Sequence, residues 1–232
     1  MLKASAWLSA LARNNCVDMK PALLKVLEFS LILLGLGVYA LGYLPFPILP
    51  LFVLAWVSLR LRHLRWRDVG LKHPERWLPT IGLALLIGIG YQVVDIFIIA
   101  PVLESITGEA VDLSLFNNLQ GNLLGLLFLL VVSWTEAAFI EEMFFRGYLF
   151  NRITDLAGTQ RSGILLALMG SSLVFGAAHA YQGISGVVDT TLAGLLLGLL
   201  YLYAGRNLWL PILTHGVIDT VGFLLIYFGF YG

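Results

Sequence analysis

Residues 123–150 read LLGLLFLLVVSWTEAAFIEEMFFRGYLF. A helix of this length runs ~42 Å at ~1.5 Å per residue, enough to cross a hydrocarbon core of ~30 Å. Its first thirteen residues carry no charge, and the remainder carries Glu136, Glu141, Glu142 and Arg146. An ionisable group inside a membrane is costly and is tolerated where it faces the protein interior. The stretch therefore predicts a membrane-spanning helix with a polar inner face.

The rest of the chain agrees. Of its 232 residues, 59% are hydrophobic and 12% charged, and the mean hydropathy is +0.88. An ordinary soluble domain has roughly 45–50% and 25%. These values exclude a soluble globular domain, a disordered chain and a fibrous repeat. Seven apolar stretches stand out, at about Ala22–Leu44, Phe46–Leu59, Leu78–Pro101, Leu123–Phe150, Ile164–Tyr181, Val187–Ala204 and Leu208–Phe230. The expected fold is all-α: a multi-pass transmembrane helical bundle of about seven spans, forming a single integral membrane domain over residues 1–232. The second span is short and opens on Pro47 and Pro50, which predicts a tilted or incomplete crossing. The first is too long for a signal-peptide core and reads as an uncleaved anchor.

Charge sets the orientation. Fourteen basic and fourteen acidic residues cancel, so no net field points to nucleic acid. With the N-terminus in the cytoplasm, every Lys and Arg falls on the inner side: Lys3, Arg13, Lys20, Lys25, Arg60, Arg62, Arg65, Arg67, Lys72, Arg76, Arg146, Arg152, Arg161 and Arg206. The loop after the third span carries Glu104, Glu109 and Asp112 and no basic residue. This predicts a prokaryotic plasma-membrane protein with its N-terminus cytoplasmic. Leu59–Trp77, basic with interspersed Leu and Trp, reads as an interfacial stretch on the inner leaflet. Cys16 is the sole cysteine, which excludes an intramolecular disulfide and a multi-cysteine metal site. Gly194 and Gly198 form a G-x-x-x-G that lets another helix approach, within the chain or in a second copy.

The ionisable residues within the spans are Glu28, Asp95, Glu136, Glu141, Glu142, Arg146, His179, Asp189, His215 and Asp219. Most lie in the C-terminal half, so the chemistry is expected there and the N-terminal half reads as scaffold. Glu142 and Arg146 are i and i+4 and can pair; Glu141 projects about 100° away and stays free. A free carboxylate in a poorly hydrated site is a candidate base. Phe175 stands one turn before His179 and can wall the same site. His215 and Asp219 are again i and i+4, either a carboxylate-oriented imidazole or two members of a metal site. Two glutamates, an arginine, two histidines and a further acid supply a base, a charge clamp and hydrogen-bond donors, which water attack on an amide requires.

EEMFFR at 141–146, FGAAH at 175–179 and HGVID at 215–219 resemble, in this order, the E-E-x-x-x-R, F-x-x-x-H and H-x-x-x-N motifs of the CPBP family. These are the CAAX prenyl protease and bacteriocin-processing membrane peptidases, also called Abi proteins. The resemblance covers about residues 121–225, leaving 1–120 as N-terminal spans and the interfacial segment. It implies an intramembrane endopeptidase that cleaves a peptide or membrane-protein segment at the cytoplasmic side. Glu141 would activate water with His179, Glu142 and Arg146 would support the site or bind substrate, and His215 with Asp219 would serve the oxyanion. The usual view of the family is a glutamate mechanism without metal. Asp219 replaces the family's asparagine, and an ionised carboxylate would repel an oxyanion. Asp219 therefore stays protonated, orients His215, or ligates a metal; a zinc site would draw on Glu141, His179, His215 and Asp219. No soluble cofactor motif is present.

Other readings exist. The family fold can serve as a catalytically silent scaffold or an immunity-type partner-binding protein. Gly183-Ile-Ser185-Gly186 has the look of a rhomboid-like serine nucleophile, although glycine and serine are ordinary turn residues. Glu and His in spans also suit a proton relay. One tension stands. Counted from the nearest inner arginine at ~1.5 Å per residue, Glu141 and His215 lie ~16 and ~13 Å deep, but His179 lies ~27 Å deep. Sequence suggests that the His179 helix is tilted, bends near Gly170–Ser172, or starts after Arg161.

Overall fold

A computed structural model of the chain describes residues 48–230 and, ahead of them, residues 28, 30–32 and 35. Most of the expected first span, Cys16, Pro47 and the basic residues from Lys3 to Lys25 lie outside the described residues. The described residues are helical and contain no strand. We number the helices α1 (Ile48–Leu61), α2 (Trp77–Thr107), α3 (Leu123–Ala157), α4 (Arg161–Ala177), α5 (Gly183–Tyr203) and α6 (Trp209–Tyr227). The bundle is that of an integral membrane protein. Helices α2, α3, α6 and α5 with its leading turn are long and apolar enough to cross a membrane; α1 and α4 are shorter apolar helices. α1 has 14 residues, ~21 Å, so the second expected span is indeed short.

Local chemistry explains the helix ends. The side chain of Asn122 accepts from the amide of Gly125 at 3.0 Å and caps α3. α2 does not stop at Pro101, where sequence suggests, but continues to Thr107. Proline removes a donor and crowds the preceding turn. The helix answers by widening to π geometry over Asp95–Ile99, just before the proline. Pro211 sits in the first turn of α6, where proline is tolerated.

α4 packs along α5, α6 along α2, and the middle of α3 lies against α6. Small residues permit the first contact. Gly194 faces Ser172 and Phe175, and Gly198 faces Leu168. The G-x-x-x-G of α5 thus receives α4 of the same chain.

The described basic loops gather at one end. The 66–76 segment docks on the α5–α6 turn: Leu208 donates to the Gly70 carbonyl at 3.0 Å, and Asn207 donates to the Lys72 carbonyl at 2.9 Å. Gly70 has φ 116°, a left-handed conformation that glycine adopts at no steric cost. Trp66 stacks on Phe52 with centroids 5.0 Å apart, and Trp77 meets Trp209 edge-on at 5.1 Å. These rings close the basic end of the bundle. Glu28 there accepts from Ser58 and from Arg62, which forms an ion pair with it. Glu104, Glu109 and Asp112 stand at the opposite end, around the loop after α2.

Candidate active site

The EEMFFR motif lies within α3 where that helix departs from α geometry. Ser133–Glu141 and Met143–Leu149 are π-helical, a local widening that recurs at functional sites. Glu142 and Arg146 pair as their i,i+4 spacing predicts. Arg146 donates to Glu142 Oε1 at 2.6 Å, and the two side chains are 1% and 0% exposed. Arg146 also donates to the Gly194 carbonyl at 3.0 Å, and its guanidinium lies 4.5 Å from the Phe175 ring centre. Glu142 thus sits behind the site, while Glu141 lines a cavity of about 550 Å³.

His179, His215, Asp219 and Phe175 line the same cavity. The structure therefore brings together every residue singled out from the three motifs, Glu142 and Arg146 from behind. His179 is not on a helix face: it follows the end of α4 and leads the turn Ala180–Gln182. Its Nδ1 lies 2.9 Å from the Phe175 carbonyl. A carbonyl only accepts, so Nδ1 carries the hydrogen and Nε2 of the neutral ring keeps a lone pair. Phe175 stands between the two imidazoles, 4.9 Å from His179 and 5.9 Å from His215, centre to centre.

His215 is held differently from the sequence expectation. Its close carboxylate is Glu142, with Nδ1 3.0 Å from Oε1, and not Asp219. Asp219 Oδ1 is 3.7 Å from Nε2, beyond hydrogen-bond reach. Asp219 instead accepts from the Ser133 hydroxyl at 2.7 Å. Ser133 carries no signal in the sequence, because a helical serine commonly bonds its own helix four residues back.

The depth tension dissolves once the correct reference level is used. Leu208, in the α5–α6 turn, packs against Gly147, where an added Cβ would lie 3.1 Å from its Cδ1. Arg152 is 5% exposed inside α3 and marks no helix end. α3 continues to Ala157 and returns as α4, so this hairpin projects past the α5–α6 turn. Phe175 reaches the Gly147 level by meeting Phe145 at 5.0 Å. From Gly147 to Glu141 is ~9 Å, from Leu208 to His215 ~10 Å, and His179 is one turn beyond Phe175. α4 is continuous from Arg161 to Ala177, with no bend near Gly170–Ser172.

From this floor the cavity follows α6 from His215 to Ile226 and reaches Glu104, Val111, Phe116 and Phe230 at the acidic end. Asp95 and Asp189 share its wall, and Tyr91 donates to Asp189 at 3.1 Å. The sequence marks these two acids as intramembrane but assigns them no role. Ser185 is elsewhere engaged: its hydroxyl donates to the Glu109 carbonyl at 2.5 Å and lies 2.7 Å from Thr107 Oγ1. That leaves it no part beside His215. Among the described residues no three His, Cys, Asp or Glu side chains are grouped to hold a metal ion.

The helical membrane bundle thus encloses carboxylates and imidazoles around one cavity. Residues 123–221 match the family model described as type II CAAX prenyl endopeptidase Rce1-like. This segment contains all three motifs, and over it the chain is similar to CAAX-type intramembrane proteases. No curated protein and no solved structure matches the chain.

Proposed function

We propose that the protein hydrolyses a peptide bond of a peptide or membrane-protein segment, with Glu141 as the base. The observation that carries this reading is the division of the adjacent glutamates: Glu142 is clamped by Arg146 behind the wall, and Glu141 faces the cavity with His179 and His215. Glu141 takes a proton from water, aided by the free Nε2 of His179. The oxygen forms a bond to the carbonyl carbon, and the C=O electron pair moves onto oxygen. His215, held through Nδ1–H by Glu142 and doubly protonated as the imidazolium, donates Nε2–H to that oxyanion. Collapse re-forms the carbonyl and breaks the C–N bond as the amine takes the proton from Glu141. Phe175 walls the substrate side. The scheme needs no metal.

With the basic end in the cytoplasm, the reacting groups lie ~10 Å beneath the inner turns, and Glu141 is ~27 Å from the start of α3. The bond would break in the cytoplasmic half of the membrane. The cavity's long arm toward the acidic end suits an extended segment lying along α6.

The test is cleavage of a quenched peptide library, prenylated members included, by purified full-length protein in detergent. Glu141→Ala should remove turnover by at least ~100-fold, the range lost with a general base, without loss of folding. Activity should survive a chelator. Loss with chelator and return with zinc would move the mechanism to a metal. Cleavage undiminished in Glu141→Ala would exclude Glu141 as the base. No cleavage by either protein would favour the scaffold reading.

A further inference from the structure

Asp219 lines the cavity beside the His215 imidazole, and something must keep its carboxylate off that donor. Its Oδ2 accepts from Ser133 at 2.7 Å, while Oδ1 stays 3.7 Å from His215 Nε2. Ser133 is 2% exposed, so its hydroxyl is shielded from bulk solvent. The next residue locks the register. Trp134 donates from Nε1 to Thr220 Oγ1 at 3.1 Å. Its ring also lies against Gly216, where an added Cβ would come within 2.7 Å of it. The first turn of the π stretch thus grips α6 on both sides of Asp219. On the other face of the imidazole, Glu142 engages Nδ1 at 3.0 Å. His215 therefore stands between two carboxylates, one bonded to it and one held back.

We propose that Ser133 is a positioning residue: it holds the Asp219 carboxylate away from His215, leaving the Nε2–H to face the cavity and the substrate carbonyl. The inference rests on the peptidase reading for its catalytic consequence, but the hydrogen-bond arrangement stands apart from turnover. It gives Asp219 a defined place in a position where the family commonly has an amide. Without the serine hydroxyl, the carboxylate is free to turn onto Nε2 and occupy the donor meant for the oxyanion. An asparagine at 219 carries no charge to draw it there, so it needs no such restraint.

The experiment compares wild type, Ser133→Ala, Asp219→Asn and the double variant as full-length protein in detergent. Cleavage and the nitrogen-15 spectrum of histidine-labelled protein are both read. The chain has only four histidines, so the imidazole signals can be assigned by single replacements. Ser133→Ala should lower kcat roughly tenfold, part of the 10²–10³ that loss of an oxyanion donor costs. Its His215 Nε2 proton should move downfield as it bonds to Asp219. In the Asp219→Asn background the serine replacement should change kcat by less than about twofold, since the two side chains act as one unit. Ser133→Thr, which keeps the hydroxyl, should restore both signals, and Ser133→Cys covers the case in which alanine fails to fold. An unchanged His215 signal in Ser133→Ala overturns the proposal. So does an equal loss of kcat in both backgrounds. A shifted His215 signal in a protein whose wild type cleaves nothing would sink the peptidase reading and leave the Ser133 hold intact.

Discussion

At the scale of single residues, the two glutamates of EEMFFR are neighbours with opposite duties. Glu142 Oε1 accepts from Arg146 and engages His215, so this carboxylate joins α3 to α6. Removing one member of a buried ion pair leaves the other charge uncompensated, at a cost of about 3–5 kcal/mol. Glu142→Ala is therefore expected to lower the thermal unfolding midpoint markedly, as read in detergent. Glu141→Gln should leave the midpoint nearly unchanged while removing turnover. Equal midpoints for the two variants would contradict the assignment. The Glu142–Arg146 pair was legible in the sequence because i,i+4 neighbours meet on any helix. The Glu142–His215 contact was not, since it spans 73 positions and depends on how two helices lie together.

At the scale of elements, the site depends on α4 and α5 touching backbone to backbone. A methyl group on Gly176 would fall 2.5 Å from the Val187 carbonyl oxygen, and a backbone atom cannot swing aside. Gly176→Ala should push α5 away from α4 and cost about 1–3 kcal/mol, the usual range for overpacking. His179, two residues beyond the end of α4, should lose its place with it, so unfolding midpoint and turnover should fall together. A fully stable, fully active Gly176→Ala variant would show that the helices do not pack this closely. The spans were visible as apolar stretches, but the π widening of α3 was not. Its amphipathic pattern is the same over a few residues whether the helix turns tightly or loosely.

At the scale of the whole molecule, charge divides the bundle into a basic end and an acidic end, and the cavity leads toward the acidic one. The positive-inside rule then predicts which loops a reagent reaches. With Cys16 replaced by serine, Asp112→Cys should react with a membrane-impermeant thiol reagent in intact cells. Lys72→Cys should react only after the membrane is opened. The reverse pattern would invert the bundle and put the reacting groups in the outer half.

The amino-acid sequence by itself determined the membrane class, the four long apolar helices, the charge division and the motif residues. Each of these follows from composition or from spacing along one helix. Tertiary structure alone decided that Glu142 orients His215, that Ser133 holds Asp219, and that Gly194 and Gly198 receive α4. It also decided that Glu141, His179 and His215 lie at one level, because the α3–α4 hairpin projects past the α5–α6 turn. Those relations depend on the relative height and rotation of separate helices. Helix registers are set by the packing of small residues, aromatic rings and buried hydrogen bonds between them, and no local periodicity encodes that.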